Sequence, residues 1–180
     1  MAKKTIKVDL SKEGLARLQR ELQAYKTQVN DKLQVFVTKL ANYGVKVAES
    51  NVGNFGKYIL FQVRAEPSKD GCKAILLATD KSKIISKWKT ADGIKTAEVS
   101  PLLMAEFGSG QLAQNPNDIE GVGQGTFPGQ THAFDSEGWY WVDMNDELHH
   151  SYGINPTMPM FKAAQEMENL VMTVAKEVFG

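Results

Sequence analysis

A single cysteine in 180 residues, Cys72, rules out an intramolecular disulfide and points to a reducing compartment. With Gly71 before it and an apolar run after it, Cys72 reads as a small strand residue rather than a reactive thiol. An excess of one charge sign is also missing. Lys plus Arg number 21 and Asp plus Glu 21, so no net field draws the chain toward nucleic acid or an anionic membrane. No apolar run reaches the ~18 residues that a membrane span needs. The opening MAKKTIKVDLSKEG is polar, without the apolar segment of a signal peptide. The expectation is a soluble product, intracellular when made and not exported by a classical signal. A hydrophobic content of 42% supplies material for a core, and the length fits one domain.

What is present begins with a helix. Ser11 suits an N-cap, and Leu10 with Leu15 fits a hydrophobic staple across it. Apolar residues recur at Leu15, Leu18, Leu22, Tyr25, Val29, Leu33, Phe36 and Leu40, in steps of three and four. The spacing predicts a long helix over 11–48 lying on a sheet. A coiled-coil or subunit seam is the other use of such a stripe. Gly44 is expected to loosen its last turns. Strand-forming segments fill 57–100: KYILFQVRAE, CKAILLAT, KIISKWK and IKTAEVS, with turns at PSKDG and Asp92-Gly93. They predict a small, mostly antiparallel sheet with a helix from each end of the chain over one face.

Ser100 and Pro101 open a short helix that Gly108 stops. Seven of the fifteen glycines fall within 108–138, which reads as an extended loop. Over 139–180, GWYWVD supplies a fifth strand. The closing helix then presents Phe161, Ala164, Met167, Leu170, Val171, Val174 and Val178 on one face. The fold class is therefore α+β in a single domain, with long N- and C-terminal helices packed on a small, mostly antiparallel sheet.

Chemical motifs fail one after another. His149 and His150 are adjacent, so on a strand they face opposite sides, unlike the i,i+4 pair of a zinc-protease helix. His132, Asp135, Asp143, Asp146 and Glu147 supply ligand types without a ligand spacing. DMNDE opens like a calcium loop, but Leu148 and Ile154 stand where the glycine and the bidentate glutamate belong. GVGQG opens no helix and lacks the lysine of a phosphate loop. Ser109 lacks a nucleophile elbow, and no basic cluster interleaves with aromatics. Catalytic, cofactor and metal residues are all expected to be none.

Two segments are more specific. LLMAEFGSG (102–110) is a short helix ending in Glu106, Phe107, Gly108 and Ser109. GWYW is followed by HHSYGINPTMPMFKAA and the closing helix. In this order, after a long helix and a small sheet, they resemble the tail-completion (neck) proteins of tailed bacteriophages and prophages. That family carries a Val/Ala-Glu-Tyr/Phe-Gly-Thr segment, and here Ser109 replaces the threonine. Its second run, Pro-Thr-x-Pro-Met, is matched by Pro156, Thr157, Met158, Pro159 and Met160. The motifs cover about 102–110 and 138–165, and the loop at 111–137 is longer than in compact members.

The resemblance implies a structural, non-enzymatic virion subunit at the tail neck, assembled in the host cytoplasm. It implies a ring-forming homo-oligomer, a hexamer, between the head connector or adaptor and the tail terminator or tube. DNA passing through the lumen is a further candidate partner; a membrane is not. Expected subunit or partner contacts are Glu106, Phe107, Gly108, Trp139, Trp141, His149, His150, Pro156, Met158 and Pro159. Aromatic residues such as Trp139, Tyr140 and Trp141 suit both a core face and a partner anchor. Two other function classes stay open: a zinc hydrolase using His132, His149 and His150, and a coiled-coil adaptor or chaperone using the helix stripe.

Overall fold

The computed structural model describes residue 9 and residues 11–68, 71–114 and 136–180. Pro67, Ser68, Trp88 and Trp139 are described in their backbone only. Helix α1, Lys12–Asn51, starts where the Ser11 hydroxyl accepts the Gly14 N–H at 3.1 Å. Helix α3, Pro159–Phe179, runs antiparallel beside its second half. The two are tied at one end by Lys162 Nζ to the Asn51 side-chain oxygen at 3.2 Å. At the other end Phe36 and Phe179 meet with centroids 5.9 Å apart, and Lys39 pairs with Glu177.

The two helices differ in length, 40 residues against 21, so α3 ends beside Phe36 and the first half of α1 continues past it. The buried positions of α1 are Ala41, Gly44 and Ala48, all in its second half, while Leu15 and Leu22 stay 48% and 51% exposed. The expectation that the whole stripe lies on a sheet is corrected, because nothing in a periodic stripe says how long its partner is. Gly44 does not loosen the helix. A Cβ there would sit 2.7 Å from Met167 Sδ and 3.1 Å from Leu76 Cδ2. The missing side chain lets α1 approach α3 and the sheet together.

Strands β1 (Ile59–Ser68) and β2 (Gly71–Asp80) form a continuous antiparallel hairpin on the α1 side of the body. A 3₁₀ turn, Gly53–Tyr58, occupies the place where the first strand was expected to begin. The next two strands leave that sheet. β3 (Ile84–Thr90) and β4 (Gly93–Val99) join β6 (Trp139–Val142) and β7 (Leu148–Ser151) in the order β4-β3-β6-β7. Between them in sequence come α2 (Pro101–Phe107) and the two-residue strand β5 (Ser109–Gly110), which pairs with β8 (Gly153–Ile154). The molecule is thus α+β with every described strand pair antiparallel, but in three separate sheets rather than one. On α3 the buried alanine is Ala163, one position before the expected Ala164.

The centre of the body is small: Val52, Ile59 and Ala105, flanked by Phe55, Phe61, Ala78 and Leu102. Asp80, at the end of β2, fastens α2 to it. Its carboxylate accepts the Ser100 hydroxyl at 2.7 Å, the Leu102 N–H at 2.8 Å and the Lys83 ammonium at 2.7 Å. Burial alone would raise the Asp80 pKa, and the bonds from Lys83, Ser100 and Leu102 outweigh it, holding the carboxyl below 3.8. A lowered folded value means that this stabilisation is complete above the ordinary pKa and disappears as pH falls through the folded one. Asp80→Ala should cost about 2 kcal/mol at neutral pH. In urea titrations at stepped pH, its gap from the unaltered chain should close as pH drops below 3.8. A gap independent of pH would contradict an ionised clamp.

Candidate functional site

The two segments that carry the resemblance meet in space. Helix α3 has no cap of its own: Met158, in the N-cap position, is left-handed (φ 53, ψ 52) and makes no side-chain cap bond. The capping oxygens come from α2 instead. Glu106 Oε2 accepts the Met160 N–H and Oε1 the Phe161 N–H, each at 2.8 Å. Pro159 opens the helix without an N–H, and the Lys162 N–H reaches the Met158 carbonyl at 3.0 Å. Every donor of the first turn is therefore satisfied, and a carboxylate sits at the positive end of the helix dipole. Glu106 is only 8% exposed.

The chain before α3 is tied to the same place. The Ala105 carbonyl accepts the Thr157 N–H at 2.8 Å, the Met158 N–H at 3.0 Å and the Thr157 hydroxyl at 3.2 Å. Three residues after Ala105, Gly108 ends α2 with φ 71 and ψ −157, a backbone region that is essentially glycine's alone. A Cβ at Gly108 would lie 2.3 Å from the Ile154 carbonyl oxygen and 2.8 Å from Pro156 Cδ. Ser109, 4% exposed, accepts the Ile154 N–H on its hydroxyl at 3.1 Å. Gly110 faces Gly153, whose own Cβ would meet the Ser109 carbonyl oxygen at 2.0 Å. The segments 105–110 and 153–161 thus form one interlocked junction.

Of the residues expected at subunit or partner contacts, Glu106, Phe107, Gly108 and Pro159 are buried in this junction, and Pro156 and Met158 are half-buried beside it. Their observed work is inside the chain. Sequence reasoning passed over Ser109, Gly153 and the Ala105 carbonyl. One partial signal existed: Pro159 is preceded by Met158 and not by Ser, Asp or Asn, so the helix needs an outside cap. Which residue supplies it is not written in the sequence, where Asp143, Asp146 and Glu147 all lie nearer to Met158 than Glu106 does.

The remaining expected residues lie on the β6–β7 hairpin, where Trp139 pairs with Ser151 and Trp141 with His149. His149 stacks on Trp141 at 4.6 Å on one face. On the other face His150 stacks on Tyr140 at 4.3 Å and meets Tyr152 edge-on at 4.5 Å. The two imidazoles therefore cannot converge on one ion, and His132 and GVGQG lie outside the described residues.

Asp143 closes the hairpin turn. Its Oδ1 accepts the Asn145 N–H at 2.8 Å and the Glu147 N–H at 3.0 Å. The Glu147 N–H is the main cause of a lowered Asp143 pKa; desolvation opposes it, and Asn145 and His149 add to it. His149 Nε2 is buried 3.3 Å from Asp143 Oδ2, out of line for a hydrogen bond. Asp143, Glu147 and His149 bring ligand-type atoms within 4.8 Å of one another. Asp143 is already engaged by its own turn, and exposed Glu147 is the other carboxylate, so the arrangement reads as a hairpin end.

A scan against family models and searches of curated proteins and of solved structures found no match to this chain.

Proposed function

We propose that the chain is a structural subunit of a ring-shaped assembly, a tail-completion component joining head and tail in a tailed bacteriophage or prophage, without catalytic turnover. The observation that carries this reading is the distribution of apolar surface. Among the described residues the buried hydrophobics are Ala41, Ala48, Val52, Ile59, Ala105, Phe107, Ala113, Ala163 and Val174. Five of these nine are alanine, which contributes little burial energy per residue. Larger side chains lie outside. Ile94, Lys89, Val142 and Leu148 form one row across all four strands of the β4-β3-β6-β7 sheet. Ile94 is 59% and Leu148 67% exposed, with Tyr140 beside them at 65%. Lys89 has its charge answered by Asp146 at 2.5 Å, so the row presents mainly apolar surface. An exposed apolar row of this kind, with Lys87, Thr96 and Glu98 beside it on the same face, suits a surface that a partner covers.

The resemblance supplies the kind of assembly, and the junction supports it, because both motifs contribute to one physical feature. A closed ring needs two different patches per subunit. The open sheet face offers one of them. No described helix is long and apolar enough to cross a membrane. Light scattering coupled to size exclusion, with negative-stain imaging, should find a ring of about six copies, the closed cyclic form that the resemblance implies. A chain that stays monomeric when concentrated and binds neither connector nor tail proteins would refute the proposal.

A further inference from the structure

The half of α1 that runs past α3 has a recognition pattern of its own. From Leu15 to Val29 the apolar positions Leu15, Leu18, Leu22, Tyr25 and Val29 follow a 3,4,3,4 spacing, about two heptads. This segment stands above the Phe36–Phe179 contact where α3 ends, and Leu15 and Leu22 are about half exposed along it. A helix running ~30 Å past α3 gains most of its stability from packing its apolar face, and Leu15 and Leu22 on that face are still open to a partner. We infer that it pairs with the same segment of a second copy, parallel and in register, as a short two-stranded coiled coil.

The charges beside the stripe select that occupant and that direction. Glu21 directly precedes Leu22, and Lys26 directly follows Tyr25. In a parallel, in-register pair the residue before each first-position apolar meets the residue five later on the other helix. Glu21 then faces the partner's Lys26, and Lys26 faces the partner's Glu21. The other flanking pairs, Gly14 with Gln19 and Gln28 with Leu33, bring no like charges together. The antiparallel arrangement that covers Leu15, Leu18, Leu22 and Tyr25 puts Glu21 against Glu21 of the partner subunit. The next antiparallel register forms no ion pair and leaves Leu15 opposite Lys32. Arg17, 3.1 Å from Glu21 on its own helix, engages one oxygen of that carboxylate, Oε1. This contact goes beyond ring membership and is independent of the sheet face.

Two measurements on the full chain test it. In the parallel pair Leu15 meets Leu15. Leu15→Cys should therefore cross-link to itself with a thiol reagent shorter than two helical turns (about 11 Å). The unaltered chain, whose thiol is Cys72, is the blank. In the antiparallel pair Leu15 lies opposite Tyr25, ten residues or about 15 Å along the helix, and only a mixture of Leu15→Cys with Tyr25→Cys chains would link efficiently. Glu21→Lys should weaken association about tenfold in sedimentation equilibrium, as should Lys26→Glu. The double exchange Glu21→Lys with Lys26→Glu should restore it. Self-linking at Leu15 together with restoration establishes the parallel pair. Linking only in the mixture, or a double exchange as weak as the single ones, overturns it even if rings form.

Discussion

Glu106→Ala is expected to lower the stability of the chain by about 3 kcal/mol, a larger loss than at any exposed charged position. Among the described residues its carboxylate is the acceptor of the Met160 and Phe161 N–H groups, and both residues are half-buried at the start of α3. Removing it abolishes two charge-assisted bonds, leaves two donors to find water, and takes a negative charge from the helix N-terminus. Glu106→Gln separates these causes. Glutamine fits the space and keeps one acceptor oxygen, but its amide nitrogen then faces a backbone donor. A loss about half that of alanine is expected. Guanidinium unfolding read by circular dichroism checks both values. Equal stability of the glutamine variant and the parent would mean that the carboxylate is not a cap. α3 packs along α1, so the damage should spread: the melting transition should broaden as α3 detaches before the β1–β2 hairpin opens.

Gly108→Ala should be at least as damaging, about 3 kcal/mol or more, for a steric rather than an electrostatic reason. The new methyl group would stand 2.3 Å from a backbone carbonyl oxygen and 2.8–2.9 Å from Pro156, none of which can rotate away. The positive φ adds conformational cost on top of the collision. Gly93 provides the control. It too has a positive φ, 117, but a Cβ there meets nothing within 4 Å. Gly93→Ala should cost only the backbone penalty, about 1–2 kcal/mol. Thermal melts of the two variants side by side measure the difference, and similar losses would mean that the close approach at Gly108 relaxes freely. Combining Gly108→Ala with Glu106→Ala should cost less than the sum, because both open the same junction.

The junction also changes what the motif residues are for. Glu, Phe and Gly in one segment, and Pro, Met and Pro in another, read in sequence as candidates for touching a neighbour. In the fold they hold α2, β8 and the start of α3 together. The surfaces left for neighbours are the β6–β7 hairpin, the row from Ile94 to Leu148 and the projecting half of α1. A chain built this way ties its interior together at one junction and leaves apolar side chains exposed away from it.

Local sequence determined the elements. The Ser11 cap and three-four spacing gave α1, and the observed helix runs three residues past the expected end at 48. Asp92-Gly93 fixed the β3–β4 turn, with Thr90 paired to Gly93. Ser100, Pro101 and Gly108 bounded α2 as read, and GWYWVD gave β6. These depend on interactions between near neighbours, which a window of sequence contains. Opposite orientation of His149 and His150 was legible for the same reason, since alternation is a property of any strand. The tertiary structure alone decided which strands became partners, separating β1–β2 from β3–β4. It also decided that Ala163 rather than Ala164 is buried, and that α3 is too short to cover α1. It set Glu106 against a helix 54 residues further along the chain. Such pairings are fixed by how faces of different elements compete for burial, and no local pattern records the winner.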